Sequence, residues 1–185
     1  MKRFCLFAFL CLATAVCFAQ PKPTELDKSP LDVSYCPANY PILKMNGKST
    51  DVPVARVIYS RPQKANRTIF GGIVKYNELW RLGANEATEI EVFKPVKING
   101  KTLPKGRYSM FCIPTETKWT IIFNSEKDVW GLTYNSKKDV LRVDVPVEKN
   151  TENVEAYTMY FDTVAKGYHL IIMWDNAMAK IPMQP

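Results

Sequence analysis

The feature that most constrains this chain is a two-residue alternation, repeated from Val54 almost to the last residue and cut by turn residues. Ala55, Val57 and Tyr59 alternate with Val54, Arg56 and Ile58. Successive strand side chains point to opposite faces, so this pattern suits a strand with one buried face. Leu141, Val143, Val145 and Val147 stand in the same way against Arg142, Asp144 and Glu148, and Tyr157, Met159 and Phe161 against Thr158, Tyr160 and Asp162. Residues 31–35, 107–113, 119–123 and 177–183 are further strand candidates. Residues 168–174 are almost wholly apolar, as expected of a central strand. Asn99-Gly100 tolerates the positive φ of a tight hairpin turn. Leu103-Pro104-Lys105-Gly106 is a second turn, and Pro95 places a bulge or sheet edge between Val92 and Val96.

Short strands separated by such signals predict an all-β fold with one or two short helices, an antiparallel β-sandwich of jelly-roll-like form. Helical spacing is confined to residues 72–82, where Ile73, Tyr76, Leu79 and Trp80 recur at three and four. A single further turn fits residues 125–129. Residues 36–53 hold several prolines and Asn46-Gly47, the composition of a loop or hairpin.

Three segments are expected. Residues 1–19 have the form of a secretory signal: Lys2 and Arg3, then an apolar run ending at Cys17-Phe18-Ala19. Residues 20–30, rich in Pro and Lys, form a flexible leader. Residues 31–185 form a single domain, long enough to bury a real core. Export follows from the signal, to the periplasm or beyond the cell, with no membrane span once the signal is cleaved.

The chain carries +7, of which Lys2 and Arg3 would leave with the signal. The remaining lysines are scattered among acids, without the basic stripe that nucleic acid demands. His169 is the only histidine and lies in an apolar run, so no metal site is expected. No cofactor motif is present. Ser60 and Ser109 lack a nucleophile elbow. Cys36 and Cys112 remain after the signal; in an oxidising compartment they either form a disulfide or stay as two buried thiols.

The densest polar stretch is Trp80-Arg81-Leu82-Gly83-Ala84-Asn85-Glu86-Ala87-Thr88. Its Arg81 can grip a carboxylate or phosphate with two parallel hydrogen bonds. Glu86 can act as general base or accept from a sugar hydroxyl, and Trp80 offers stacking area. With Arg61 these residues, Arg61, Trp80, Arg81, Asn85, Glu86 and Thr88, are the candidate ligand site. The same groups also suit a purely internal role, pairing Arg81 with Glu86 or Glu89 and satisfying turn backbone with Asn85 and Thr88.

Ser60-Arg61-Pro62, Ile69-Phe70-Gly71-Gly72 and the 80–88 stretch, followed by Leu103-Pro104, Gly106, Tyr108, Ile113-Pro114, Trp119 and Phe123-Asn124, resemble an exported bacterial family known as domain of unknown function 2911. The resemblance spans about residues 31–182. It implies a β-rich domain in the bacterial envelope or outside the cell, and it implies no activity. Cys36, Cys112 and the prolines at 37–41 stand as departures from the family's pattern.

Three functions remain open on these grounds: a module binding a small anionic or glycan-like ligand, a structural or interaction protein of the envelope, and a hydrolase or isomerase using Glu86 with an arginine.

Overall fold

The computed structural model describes residues 20–185; the signal reading of residues 1–19 falls outside the described residues. Nine strands follow in chain order: β1 (Leu31–Cys36), β2 (Ala55–Ser60), β3 (Thr88–Val92), β4 (Val96–Ile98), β5 (Lys101–Leu103), β6 (Gly106–Pro114), β7 (Lys118–Asn124), β8 (Asp139–Val164) and β9 (Gly167–Gln184). A short helix, α1 (Tyr40–Met45), and one 3-10 turn at Ser136–Lys138 complete the regular structure. The strands form one open antiparallel sheet in the order β1-β2-β3-β6-β7-β8-β9-β4-β5. The all-β expectation holds. The ladders run through a single sheet and do not by themselves define the facing pair of a sandwich or jelly roll.

β8 gives the sheet its curl. Residues up to Pro146 pair with β7, and residues from Val147 on pair with β9. Register shifts interrupt the second ladder between Lys149 and Val154 and again before Thr158. Such bulges bend a strand and increase its twist. The second half of β8 is thereby carried back to the end of β2, where the Tyr157 amide donates to Pro62 O (2.9 Å) and the Lys64 amide to Glu155 O (2.8 Å).

The alternation places the expected faces inside. Ala55, Val57 and Tyr59 of β2, Leu141, Val143 and Val145 of β8, and Tyr157, Met159 and Phe161 further along β8 are all buried in one core. At its centre Trp80 packs edge-on against Phe70, Trp119 and Tyr157 and stacks on Trp174 at 6.1 Å between ring centroids. A small second cluster, Ala87, Phe111 and Ile122 with Val129 and Tyr134 against it, lies under the segment that follows β7.

Residues 72–82 are not helical. Gly71 (φ +81°) and Asn77 (φ +64°) turn the chain, and its amides are taken elsewhere: Val74 N by Ile69 O, Asn77 N by Pro114 O, Trp80 N by Cys112 O. β3 covers β6 only as far as Met110, so residues 77–80 occupy the β6 backbone that β3 leaves free. The three-and-four spacing therefore does not define one buried stripe: Trp80 is core, while Ile73 and Leu79 are exposed. Residues 125–129 likewise contain no helix, whereas the stretch 36–53 does contain one, α1.

Cys36 and Cys112 are both free and buried, so the disulfide alternative is corrected. The register explains why. Cys36 lies in the row of Ala55, Val92 and Gly106, three strands from β6. Cys112 is six residues further along β6, about 20 Å at strand rise. Bridged cysteines need Cα atoms within about 7 Å.

Candidate functional site

The 80–88 segment enters from Trp80, whose backbone pairs with Cys112, and leaves into β3. Three residues of positive φ shape it: Leu82 (φ +55°), Gly83 (φ +152°) and Asn85 (φ +58°). A left-handed leucine is strained, and polar bonds on both sides hold it. Thr88 Oγ1 donates to Leu82 O at 2.5 Å, and the Thr88 amide donates to Arg81 O at 3.3 Å. Trp80 Nε1 donates to Gly83 O at 3.3 Å. Ser60 Oγ meets both the amide and the carbonyl of Ala84. At Gly83 an added Cβ would stand 2.6 Å from Ser60 Oγ, so glycine is required there for space as well as for backbone conformation.

The six expected site residues are not gathered around one space. Trp80 is 7% exposed and belongs to the core. Thr88 is buried and spent on the loop. Asn85 Nδ2 donates to Asp27 at 3.3 Å and its carbonyl accepts from the Gly131 amide, tying the leader and the segment after β7 to this loop. Arg61 binds three groups of its own chain: Asp32 (3.1 Å), Tyr157 O (3.2 Å) and Thr158 Oγ1 (3.0 Å). It fastens β1 and β2 to the returning half of β8.

Arg81 and Glu86 remain. Arg81 makes neither an ion pair nor a side-chain hydrogen bond among the described residues, and its Nε is buried without a partner. Burial alone pulls the guanidinium below its ordinary pKa. Its aliphatic stem lies directly beneath Gly131, where a Cβ would collide with Arg81 Cδ. The expected pairing of Arg81 with Glu86 or Glu89 is not formed. Glu86 is exposed, and its backbone bridges Trp130.

Glu86 lines a cleft of about 350 Å³ with Leu31, Ile58, Ala87, Glu89, Asp128, Val129 and Trp130. Four separate stretches of chain meet there. Trp130 is 54% exposed. It is held by backbone bonds on either side, Ala87 N to Val129 O and Gly131 N to Asn85 O. Sequence reasoning reached Glu86 alone of this set. Trp130 carried a signal of its own, an aromatic residue inside the polar connection 124–139. A second cavity of about 340 Å³ opens beside the core aromatics Phe70 and Trp119 under a rim that includes Glu116, Lys149 and Asn176. None of the expected site residues lines it.

Among the described residues no group of three or more His, Cys, Asp or Glu side chains is arranged to hold a metal, and no helix is long and apolar enough to cross a membrane.

Fold and site together define a curled antiparallel β domain with an apolar cleft edged by carboxylates. The chain belongs to the family described as "Protein of unknown function (DUF2911)", which matches residues 43–183. The matched span includes the 80–88 segment and Trp130, and it begins after β1 and Cys36. No curated protein and no solved structure matches the chain.

Proposed function

We propose that the chain is exported and that its domain is a binding module for a small ligand, seated in the cleft between Glu86 and Trp130. The observation that carries this reading is the exposed Trp130, fixed by backbone bonds over an apolar floor with an unpaired carboxylate opposite. Small-ligand sites combine a mostly apolar lining with a few placed polar groups. The volume lies in the range of such sites. Of the two ligand chemistries expected, the cleft disfavours the anionic, because its ionisable lining residues are all acids. The hydrolase or isomerase reading needs Arg61 or Arg81 facing the same space as Glu86, and neither lines it.

One observation favours a structural role in the envelope instead: Arg61, Asn85 and Thr88 spend their polar groups on the chain itself. A ligand screen separates the two readings. Trp80, Trp119 and Trp174 are buried, so ligand-induced change at the red edge of tryptophan emission reports on Trp130. A small-molecule panel should contain compounds that change this emission and raise the melting temperature, both effects disappearing in Trp130→Ala. A panel that changes neither leaves the structural reading standing. Export is tested on the product secreted by a bacterial host, whose first residue should be Gln20; a product retained in the cytoplasm with Met1 in place contradicts it.

A further inference from the structure

The cleft lining contains three acids, Glu86, Glu89 and Asp128, and no base, in a chain whose net charge is +7. Arg107 reaches two of them from next door, Asp128 at 2.5 Å and Glu89 at 3.6 Å, and Glu89 also accepts from the Asp128 amide at 3.1 Å. Glu86 is left. Among the described residues its carboxylate has no hydrogen bond and no ion pair, although the protein has an excess of cations. Opposite it Trp130 stacks on no other described ring and has no described cation over its face, while Leu31 beside it is 60% exposed. An aromatic face and a carboxylate both attract positive charge, the first through its quadrupole and the second by Coulomb attraction and hydrogen bonding.

We propose that the ligand of this cleft is a small organic cation, an alkylammonium compound whose charged head lies between Glu86 and the Trp130 ring and whose apolar body covers Leu31, Ile58 and Val129. This rests on the binding-module reading above and specifies its ligand class. The volume of about 350 Å³ suits a small molecule rather than a basic peptide. The ammonium supplies the hydrogen-bond donors that Glu86 lacks.

The test uses three compounds with one body and different heads, hexylammonium, hexanol and hexanoate, at matched ionic strength. Trp130 emission and melting temperature are both followed. Hexylammonium should change both saturably, hexanol should bind at least tenfold more weakly, and hexanoate should have no effect. Glu86→Gln should weaken hexylammonium about tenfold while keeping the unliganded melting temperature, since the replaced carboxylate has no partner to lose. Trp130→Ala should abolish the thermal shift, which guards against a Glu86 variant that fails to fold. Equal binding of hexanol, or hexylammonium binding unchanged in Glu86→Gln, overturns the cation assignment and leaves the binding module intact. Binding of a lysine-rich peptide far more tightly than hexylammonium overturns the choice of a small molecule. A neutral disaccharide that binds through Trp130 where hexylammonium does not also rejects the cation while keeping the module. If none of these ligands, nor the wider panel, affects Trp130, both readings fall together.

Discussion

The Ser60 hydroxyl oxygen lies 2.6 Å from both the amide nitrogen and the carbonyl oxygen of Ala84. It accepts from the first and donates to the second, and so one side chain at the end of β2 fastens the loop that leads into β3. Ser60 is 2% exposed. Ser60→Ala removes both bonds and leaves two backbone groups short of partners. The expected cost is about 1–3 kcal/mol. Urea unfolding should show a lower midpoint with an unchanged slope, because the surface exposed on unfolding stays the same. A midpoint equal to that of the unmodified protein would show that water replaces the hydroxyl and that the loop is held by Thr88 and Trp80 alone.

Cys36 and Cys112, the two cysteines among the described residues, predict both a chemical result and a pH dependence. Burial pushes the Cys36 thiol up to about 12, with Lys94 nearby opposing the shift, and burial raises Cys112 well above its ordinary value. Both thiols therefore stay protonated through the physiological range, and thiolate is the reactive form. A thiol reagent should label neither Cys36 nor Cys112 in the native protein and both of them after unfolding, without prior reduction. For a thiol whose folded pKa is raised, the unfolded chain loses its proton first, so the associated stability is complete below the unfolded pKa and falls as pH rises. For Cys36 the loss should run from about pH 9.0 to about pH 12. Cys36→Ala should flatten that limb of the stability curve. An equally steep limb in the variant assigns the pH dependence to other groups.

Much of the fold was legible because a period of two needs only local sequence. Tyr157, Met159 and Phe161 face the core as their alternation with polar residues implies, and Asn99-Gly100 turns with φ +48° and +76° at its two positions. What misled was punctuation. Residues 149–153 have the composition of a loop, yet they continue β8 through a bulge, and two expected strands are one. Asp175, with φ +53°, likewise lies inside a single β9. In 72–82 the apolar spacing was helical, but β6 offered free backbone partners, and tertiary pairing outweighed local periodicity. The 80–88 segment stood out correctly as polar and unusual. Whether its groups serve each other or a ligand depends on Asp27, Ser60 and Gly131, all distant in sequence from the residues they contact. The cleft is less legible still, since Leu31, Ile58, Glu86 and Trp130 meet only after the sheet has formed.

Gly131 and Arg81 are coupled by space alone, and this gives the sharpest test of how the cleft is supported. A Cβ on Gly131 would collide with Arg81 Cδ and stand 2.6 Å from Asn85 O. Gly131→Ala must lift the chain around Trp130 off the loop, lengthening the Gly131 amide bond to Asn85 O. Overpacking of this kind costs about 1–3 kcal/mol. Arg81→Ala alone should cost less than that, since its guanidinium has no described partner and its orphaned Nε disappears with it. The side chain still contributes packing through its stem. In the double variant the collision with Cδ is gone while that with Asn85 O remains. Arg81→Ala should therefore recover part of the stability lost in Gly131→Ala, and a double-mutant cycle should show a coupling of at least about 0.5 kcal/mol. Acrylamide quenching, which reads the exposed Trp130, should rise in Gly131→Ala and return toward its original level in the double variant. Strict additivity with unchanged quenching would mean that the chain around Trp130 does not rest on Arg81, and that the cleft owes its shape to the Glu86–Trp130 backbone pairing alone.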